Sequence, residues 1–435
     1  MIYDVIGAGL GPFNLGMAAL LDETEGIEAL FFDQKLEFSW HQGMLIEGTT
    51  LQVPFMADAV TMVNPASRYS FLNYLHEQNR LYHFYFLESF HIPRREYDHY
   101  LKWLSEQLSS CRFGKRVVDA AEHPAGFEVA VQDVLTGETE IFLTKHVVLG
   151  MGSAPSMPDW TASGSRNLYH SSEFMDRRKE DLGASVAVIG SGQSAAEIFL
   201  ELLRGQETGG YKLNWLTRTD GFFPMEYSKL GLEHFSPDYT DYFYQLPQDL
   251  KDQIVPAQDS LYKGISADTI AEIYNLLYER TIAGRKPDVQ LLAKTAVMDI
   301  SCNGEELDLA CYQREQAESF VLSADTVIAA TGYKTVWPKA FSRLAGAMKW
   351  DEAGRPVISR DYQAEMNTPR ALHSVFIQNG ELHTHGVGAP DLGLGAYRNA
   401  HIINTIAGKA VFDLSEKNVF QHFGTKHVAG KKQLV

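Results

Sequence analysis

Two glycine-rich turns, each closing an apolar run, stand about 180 residues apart in this chain of 435 residues. The first is Gly7-Ala8-Gly9-Leu10-Gly11-Pro12, after Tyr3-Asp4-Val5-Ile6. The second is Gly190-Ser191-Gly192-Gln193-Ser194-Ala195, after Val186-Ala187-Val188-Ile189. A strand ending in such a turn and opening a helix brings backbone amides up to a pyrophosphate at the helix N-terminus. Two of them in one chain predict an α/β fold with two doubly wound Rossmann-like domains. They also predict two dinucleotides on one polypeptide, the layout of a flavin enzyme reduced by a nicotinamide.

In the first turn Gly7 permits the bend and Gly9 the close approach to phosphate, with Gly11 completing the loop. Pro12 stands where a third glycine is usual, and proline suits the first position of a helix. Asp33, about 20 residues beyond the turn, is placed to accept ribose hydroxyls. In the second turn Gly190, Gly192, Gln193 and Ser194 take the corresponding places. Arg218 follows its second strand, Leu213-Asn214-Trp215-Leu216. A cation there suits the 2′-phosphate of NADP, with Thr217 available to add a hydroxyl; the alternative is a solvated surface arginine.

Composition narrows the function classes. A net charge of −17 gives no basic face for nucleic acid. The hydrophobic fraction of 45% contains no run long enough to span a bilayer, so no membrane association is expected. Three cysteines, Cys111, Cys302 and Cys311, form no C-x-x-C pair, which fits a reducing compartment. Met1 leads at once into a strand, and a cytoplasmic location is the expectation. His383-Thr384-His385 lacks acidic or cysteine partners nearby in sequence, so no metal site is expected. No Gly-x-Ser-x-Gly elbow is present.

Along the chain, residues 2–6 and 28–32 read as strands flanking a helix from Pro12 to Leu21, and residues 69–109 as mostly helical. Strands are expected at 127–131, 141–143 and 146–149. Ser153 to Gly164 reads as a linker. Residues 222–263 lack clean periodicity. Ala267 to Glu279 reads as an amphipathic helix with Ile270, Ile273, Tyr274, Leu277 and Tyr278 on one face. The strand 326–330 ends in Thr331-Gly332-Tyr333. The implied division is an FAD domain over 1–158 and 331–435, an NADPH domain over 159–225 and 273–330, and a helical substrate segment over 226–272.

Two further segments carry polar residues among aromatics: Phe38–Met44 and Leu51–Phe55. Trp40 and His41 read, by themselves, as packing residues. Gln52 is more informative, because a buried amide needs partners and a flavin edge offers them.

Taken together, GAGLGPFN (7–14), FSWHQGM (38–44), LQVPFMAD (51–58), NPASRYSFLNYL (64–75), the turn 190–195, ATGY (330–333) and THG (384–386) resemble the flavin-dependent N-hydroxylating monooxygenases of siderophore biosynthesis. These are the lysine, ornithine and diamine N-monooxygenases, and the likeness covers essentially the whole chain. It implies FAD and NADPH as cofactors, O2 as co-substrate and a C4a-hydroperoxyflavin that passes oxygen to a neutral primary amine. It implies that Gln52 bonds near the flavin, that Trp40 and His41 line it, and that Thr331, Gly332 and Tyr333 return the chain to it. A homotetramer or dimer is also implied.

The departures concern the substrate. Amino-acid hydroxylases of the family hold a carboxylate with a Lys, an Asn and a Ser. Here those positions fall on Ala57, Leu232 and Gly393. A buried carboxylate without donors costs several kcal/mol. The pocket should therefore reject lysine and ornithine and accept a diamine, cadaverine ahead of putrescine. Lys229 and Lys263 are the residues able to replace the lost cation and restore the amino-acid reading. Ala57, Leu232, Tyr262, Asp391 and Gly393 make up the expected substrate pocket. Asp391, Glu226 and the tyrosines of 239–244 are the acceptors on offer to the far ammonium. A ketone-oxidising or disulfide-reducing flavoenzyme and a non-catalytic flavin sensor are the rival readings.

Overall fold

A computed structural model describes residues 1–178, 180–368, 372–414 and 417–425. The chain opens with β1 (Ile2–Ala8), α1 (Pro12–Asp22) and β2 (Ala29–Phe32). Gly11 caps α1 with extended backbone and no side-chain bond, and Pro12 occupies its first turn. Three helices follow: α2 (Phe71–Glu77), α3 (Leu81–Leu87) and α4 (Arg94–Gln107). Then come β3 (Cys111–Arg112), β4 (Lys115–His123), β5 (Gly126–Asp133) and β6 (Thr139–Gly150).

The stretch read as two strands at 141–143 and 146–149 is one continuous strand. β6 changes partners along its length: Thr139–Thr144 pair antiparallel with β5, while Leu143–Leu149 pair parallel with β1. The polar Thr144-Lys145 step marks that exchange and not an end. The first sheet runs β3-β2-β1-β6-β5-β4.

The stretch expected as a linker is ordered at both ends. It begins with β7 (Ser153–Pro155), and Trp160 and Ala162 are buried in the core of the second sheet. That sheet uses β8 (Leu168–His170), which leads to the short α5 (Phe174–Arg177) and then to β9 (Ser185–Ile189), α6 (Gln193–Gly209) and β10 (Lys212–Leu216).

Residues 222–263 resolve into short helices that pack on several sides, which is why no single period shows. A 3-10 turn at Gly231–His234 precedes α7 (Pro237–Tyr244), α8 (Gln248–Ala257) and α9 (Asp259–Tyr262). Ser236 caps α7 through the Tyr239 amide, with Pro237 in the first turn. The chain leaves at Pro224 and rejoins beside it at Ile265.

Helix α10 (Ala267–Arg280) runs unbroken through residue 272 and packs on α6, so the limit drawn at 272 falls inside a helix of the second unit. Its apolar face is also narrower than the sequence suggests. Ile273 is buried with Ile270 and Leu277 beside it, but Tyr274 and Tyr278 are 68% and 66% exposed.

β11 (Val289–Leu292) closes one edge, and β12 (Thr295–Asn303), β13 (Glu306–Gln313) and β14 (Glu318–Ala324) form an antiparallel sheet. β15 (Thr326–Ala329) then completes the parallel order β11-β10-β9-β15-β8. β16 (Tyr333–Thr335) pairs antiparallel with β7, so the chain's passages out of and back into the first unit lie side by side. After α11 (Ser342–Ala347), β17 (Val375–Gln378) joins the first sheet parallel to β6. α12 (Leu382–His385) and α13 (Gly395–Ala407) end the fold, α13 lying against α1.

Each parallel sheet is covered on both faces, as parallel strands require. Val5, Phe31, Val148 and Phe376 meet α1 and α4, while Ile6, Phe32 and Leu149 meet the β4–β5 hairpin and Phe341. No helix among the described residues is long and apolar enough to cross a membrane.

Candidate active site

The first turn is held open by side chains that reach it from three directions. Gly9 has φ +86°, and a Cβ there would stand 3.0 Å from the Gly150 carbonyl, so the loop needs glycine. Asn14, buried in α1, donates to Gly9 O at 2.7 Å and accepts from Gln378 Nε2 at 2.9 Å. The Asp33 carboxylate accepts from the amides of Leu10 (2.8 Å) and Lys35 (2.9 Å), which fixes it at the end of β2 beside the turn. Asn14 was not singled out from sequence; a polar side chain on the buried face of α1 is the signal that marks it.

The second turn is built likewise, with Gly190 at φ +146° against the Ala330 carbonyl. Two expectations change here. The Gln193 side chain donates to Glu197 Oε1 (2.9 Å) and Thr269 Oγ1 (3.1 Å) and accepts from the Ser266 amide (2.7 Å). It ties α6 to the cap of α10, so only its backbone amide is left to face a phosphate. Thr217 is buried and shares its hydroxyl with Thr219 at 2.8 Å, so it adds nothing beside Arg218. Arg218 itself is exposed at the end of β10, and Ser194 sits in the first turn of α6.

Between the turns lies the segment from Phe38 to Phe55. Trp40 donates its amide to Asp98 at 2.6 Å, and its ring meets Tyr97 edge-on at 5.3 Å and His41 at 4.5 Å. His41 has a left-handed φ of 49° and faces Tyr333 at 5.9 Å. Desolvation by the surrounding protein, then the Arg94 and Lys35 cations, lower its imidazole to about 4. Gln52 Nε2 is buried without a hydrogen-bond partner. An orphaned donor in this position is what a flavin edge or its oxygen would satisfy.

Thr331 donates its hydroxyl to Ser156 O at 2.6 Å, and His170 Nε2 pairs with Gly332 O at 3.0 Å. Tyr333 packs edge-on to His170 at 5.1 Å. These three residues therefore stitch the two side-by-side passages between the units.

One contact unforeseen in the sequence joins the units directly. Arg94, at the start of α4, forms a two-pronged ion pair with Glu197 of α6, at 2.8 Å and 2.7 Å, and donates to Met44 O at 2.9 Å. Both charges are buried.

The structure brings Ala57, Gly393 and Asp391 together. Ala57 is 5% exposed, and its Cβ lies 3.9 Å from the position a Gly393 Cβ would take. That same position is 2.9 Å from Asp391 Oδ1. Burial pushes the Asp391 carboxyl up to about 6, against the pull of the Leu394 and Gly393 amides and of Arg398.

Leu232, on the 3-10 turn, is 37% exposed. Tyr262 lies under the Lys263 ammonium, 5.2 Å from its ring, and Lys263 is paired with Asp259 at 2.8 Å. The Lys263 carbonyl is 3.7 Å from the Cβ position of Gly192, so this residue adjoins the second turn. A paired ammonium there is no free replacement for the missing cation at Ala57.

His383 and His385 diverge, to Pro356 O (2.9 Å) and Arg360 O (3.2 Å). Among the described residues no group of three potential metal ligands assembles. A cavity of about 410 Å³ opens elsewhere, between Met151, Trp337, Trp350, Pro356 and His383, and none of the residues assigned from sequence lines it.

A family model described as L-lysine 6-monooxygenase/L-ornithine 5-monooxygenase matches residues 1–335. The rhizobactin siderophore biosynthesis protein RhbE of Rhizobium meliloti is 45% identical over 432 residues, 97% of this chain and 95% of the relative. The putrescine N-hydroxylase of Shewanella oneidensis is 40% identical over 436 residues, 99% and 86% of the two chains. Among solved structures, FAD-bound DfoA, the desferrioxamine-pathway cadaverine monooxygenase of Erwinia amylovora, gives a TM-score of 0.94 at 37% identity, covering 100% of both chains.

Proposed function

Because the chain belongs to the L-lysine 6-monooxygenase/L-ornithine 5-monooxygenase family, we propose that it N-hydroxylates a primary aliphatic diamine, with FAD and NADPH, for a hydroxamate siderophore. The overall change is amine + O2 + NADPH + H⁺ → hydroxylamine + H2O + NADP⁺. One oxygen atom enters the new N–O bond and the other leaves as water.

The observation that carries the diamine reading is the Ala57–Gly393–Asp391 cluster. Where an amino-acid substrate needs a cation and a hydroxyl for its carboxylate, this chain offers a methyl, no side chain and an acid. A carboxylate brought there meets the Asp391 carboxylate and neither the lysine nor the serine of the amino-acid enzymes. Among diamines the reading puts cadaverine ahead of putrescine; enzymes of both kinds match the chain nearly end to end, at 37% and 40% identity. That part is fine discrimination, since one methylene is worth only about 1–3 kcal/mol in a pocket.

The residues present suit FAD: the glycine cradle at 7–11, Asp33 at the end of β2 and the orphaned Gln52 donor. When bound, the reduced flavin supplies the activated oxygen. The protein's part is to hold and to shield. Gly7, Gly9, Gly11 and Pro12 present the helix start to the pyrophosphate. Gln52 would give its unpartnered Nε2 donor to the flavin, and Trp40 and His41 would line the ring. A neutral His41 adds no charge to that wall at pH 7. Gly190, Gly192, Ser194 and Arg218 receive the NADPH phosphates, and Thr331–Tyr333 hold the two nucleotide folds in register.

The test is hydroxylamine formed from cadaverine, putrescine, lysine and ornithine, with FAD, NADPH and O2. Product from the diamines alone supports the reading. Product from lysine or ornithine keeps the enzyme class and removes the substrate assignment.

A further inference from the structure

A diamine presents two ends. The reacting nitrogen must arrive uncharged, while the other stays an ammonium and needs an acceptor inside the protein. The structure separates the acceptors that the sequence left open. Glu226 is exposed and turns back to accept from the Ser228 amide at 2.8 Å. The Tyr239 hydroxyl is taken by Gln258 at 2.5 Å, Tyr242 packs on Phe423 at 6.2 Å, and the Tyr244 hydroxyl points to Ile358 O at 3.4 Å. Asp391 alone of these lies against Ala57 and Gly393, the positions where the family's amino-acid enzymes grip a carboxylate.

Asp391 is held by its own loop. Its Oδ1 accepts from the Leu394 amide at 3.2 Å, and the Gly393 amide also acts on the carboxylate, both bonds coming from the loop's own backbone. The groups facing it come from three elements: Tyr97 of α4, Tyr227 of the inserted segment and Arg398 of α13. Burial raises both phenols, Tyr227 to about 12, so both are uncharged at pH 7, and Tyr97 gives its proton to Ala57 O at 3.4 Å. Arg398 pairs with the buried Glu381 through Nη1, while its Nε and Nη2 have no hydrogen-bond partner and its charge acts on Asp391 from a distance.

Resting on the diamine reading above, we propose that Asp391 binds the distal, unreacting ammonium of the substrate and that Gly393 is glycine to make room for it. A side chain at 393 begins 2.9 Å from Asp391 Oδ1, inside van der Waals contact. The serine of the amino-acid enzymes and this aspartate therefore compete for one space. Loss of the carboxylate grip and gain of an ammonium grip are two sides of one exchange.

The experiment compares cadaverine with pentan-1-amine, which has the same carbon chain and no distal ammonium, in wild type and in Asp391→Asn. Wild type should show KM for cadaverine falling as pH rises through about 6, the range to which burial raises Asp391, and no such step for pentan-1-amine. Asp391→Asn should raise KM for cadaverine at least tenfold, remove the step and keep kcat at saturation within about threefold. Its kcat/KM for pentan-1-amine should not fall as that for cadaverine does, and flavin reduction by NADPH should proceed within twofold of wild type.

An unchanged cadaverine KM in the variant, or an equal loss with both amines, overturns the assignment. If the variant does not fold, wild type decides at pH 7.5: a KM for pentan-1-amine within twofold of that for cadaverine refutes the assignment. Wild type that turns over lysine or ornithine and no diamine defeats the earlier reading as well. Diamine turnover indifferent to Asp391 defeats only this one.

Discussion

Removing one partner of the Arg94–Glu197 pair should damage this protein more than removing any of its exposed charges. The pair joins α4 to α6 with two short hydrogen bonds, and Glu197 is 3% exposed. Arg94→Met leaves that carboxylate buried without its cation. Breaking a buried ion pair from one side costs about 3–5 kcal/mol. Domains of 150–250 residues lose roughly 2–4 °C of Tm per kcal/mol, so the expected drop is about 6–20 °C. Differential scanning calorimetry of the chain at pH 7.5 reads this directly. The double variant Arg94→Met/Glu197→Leu removes both charges and should recover most of the loss, because well-packed apolar replacements are often neutral. Glu197 also accepts from Gln193, which opens α6 at the second turn. Stopped-flow reduction of the flavin by NADPH should therefore slow in the single variant beyond any change in KM. A single variant that melts within 1 °C of wild type, or a double variant as unstable as the single, would refute the reasoning.

Arg218→Ala should raise KM for NADPH at least tenfold and leave KM for NADH within twofold; steady-state kinetics with both cofactors is the check. Gln52→Ala removes the orphaned donor, and the share of NADPH oxidation ending in hydrogen peroxide should rise severalfold over hydroxylamine, read by a coupled peroxide assay. His146 accepts from the Ser374 amide at 3.1 Å, and burial, reinforced by His373, lowers its imidazole to about 4. A folded state that prefers the neutral ring is stabilised above pH 6.5 and loses that contribution as pH falls towards 4. Urea midpoints measured from pH 7 to 4 should show this decline, and His146→Gln should flatten it.

What could be read from sequence was local. Gly7–Pro12 and Gly190–Ala195 are visible because strand, turn and helix lie within a dozen residues and each constrains its neighbour. Gln52 stood out for a similar reason, as an amide inside an apolar run. What escaped depends on partners far along the chain. Gln193 satisfies every motif for a phosphate-facing residue, yet its amide serves Ser266 and Thr269. Arg94 and Glu197 each look like solvated helix residues until the two helices are placed together. Tyr274 and Tyr278 follow the period of a buried face, but α10 covers α6 with only a narrow stripe. The Ala57–Gly393–Asp391 cluster shows the same divide: its members were named from the sequence, while the exclusion of a 393 side chain by a carboxylate is a fact of space.

The partnership of β6 with β17 sets a timetable for synthesis. Val147–Gly150 pair with Val375–Gln378, and α1 is covered by α13. At about 5–20 residues per second, roughly 10–45 s pass between the emergence of the two strands. Through that interval the whole second nucleotide fold is made while the first waits with an open strand edge, the kind of surface that recruits other chains. Messages cut short before Val375 should thus yield aggregates and not a working first half. Holding the nascent chain until its last hundred residues arrive is a task the cell's chaperones inherit from this topology.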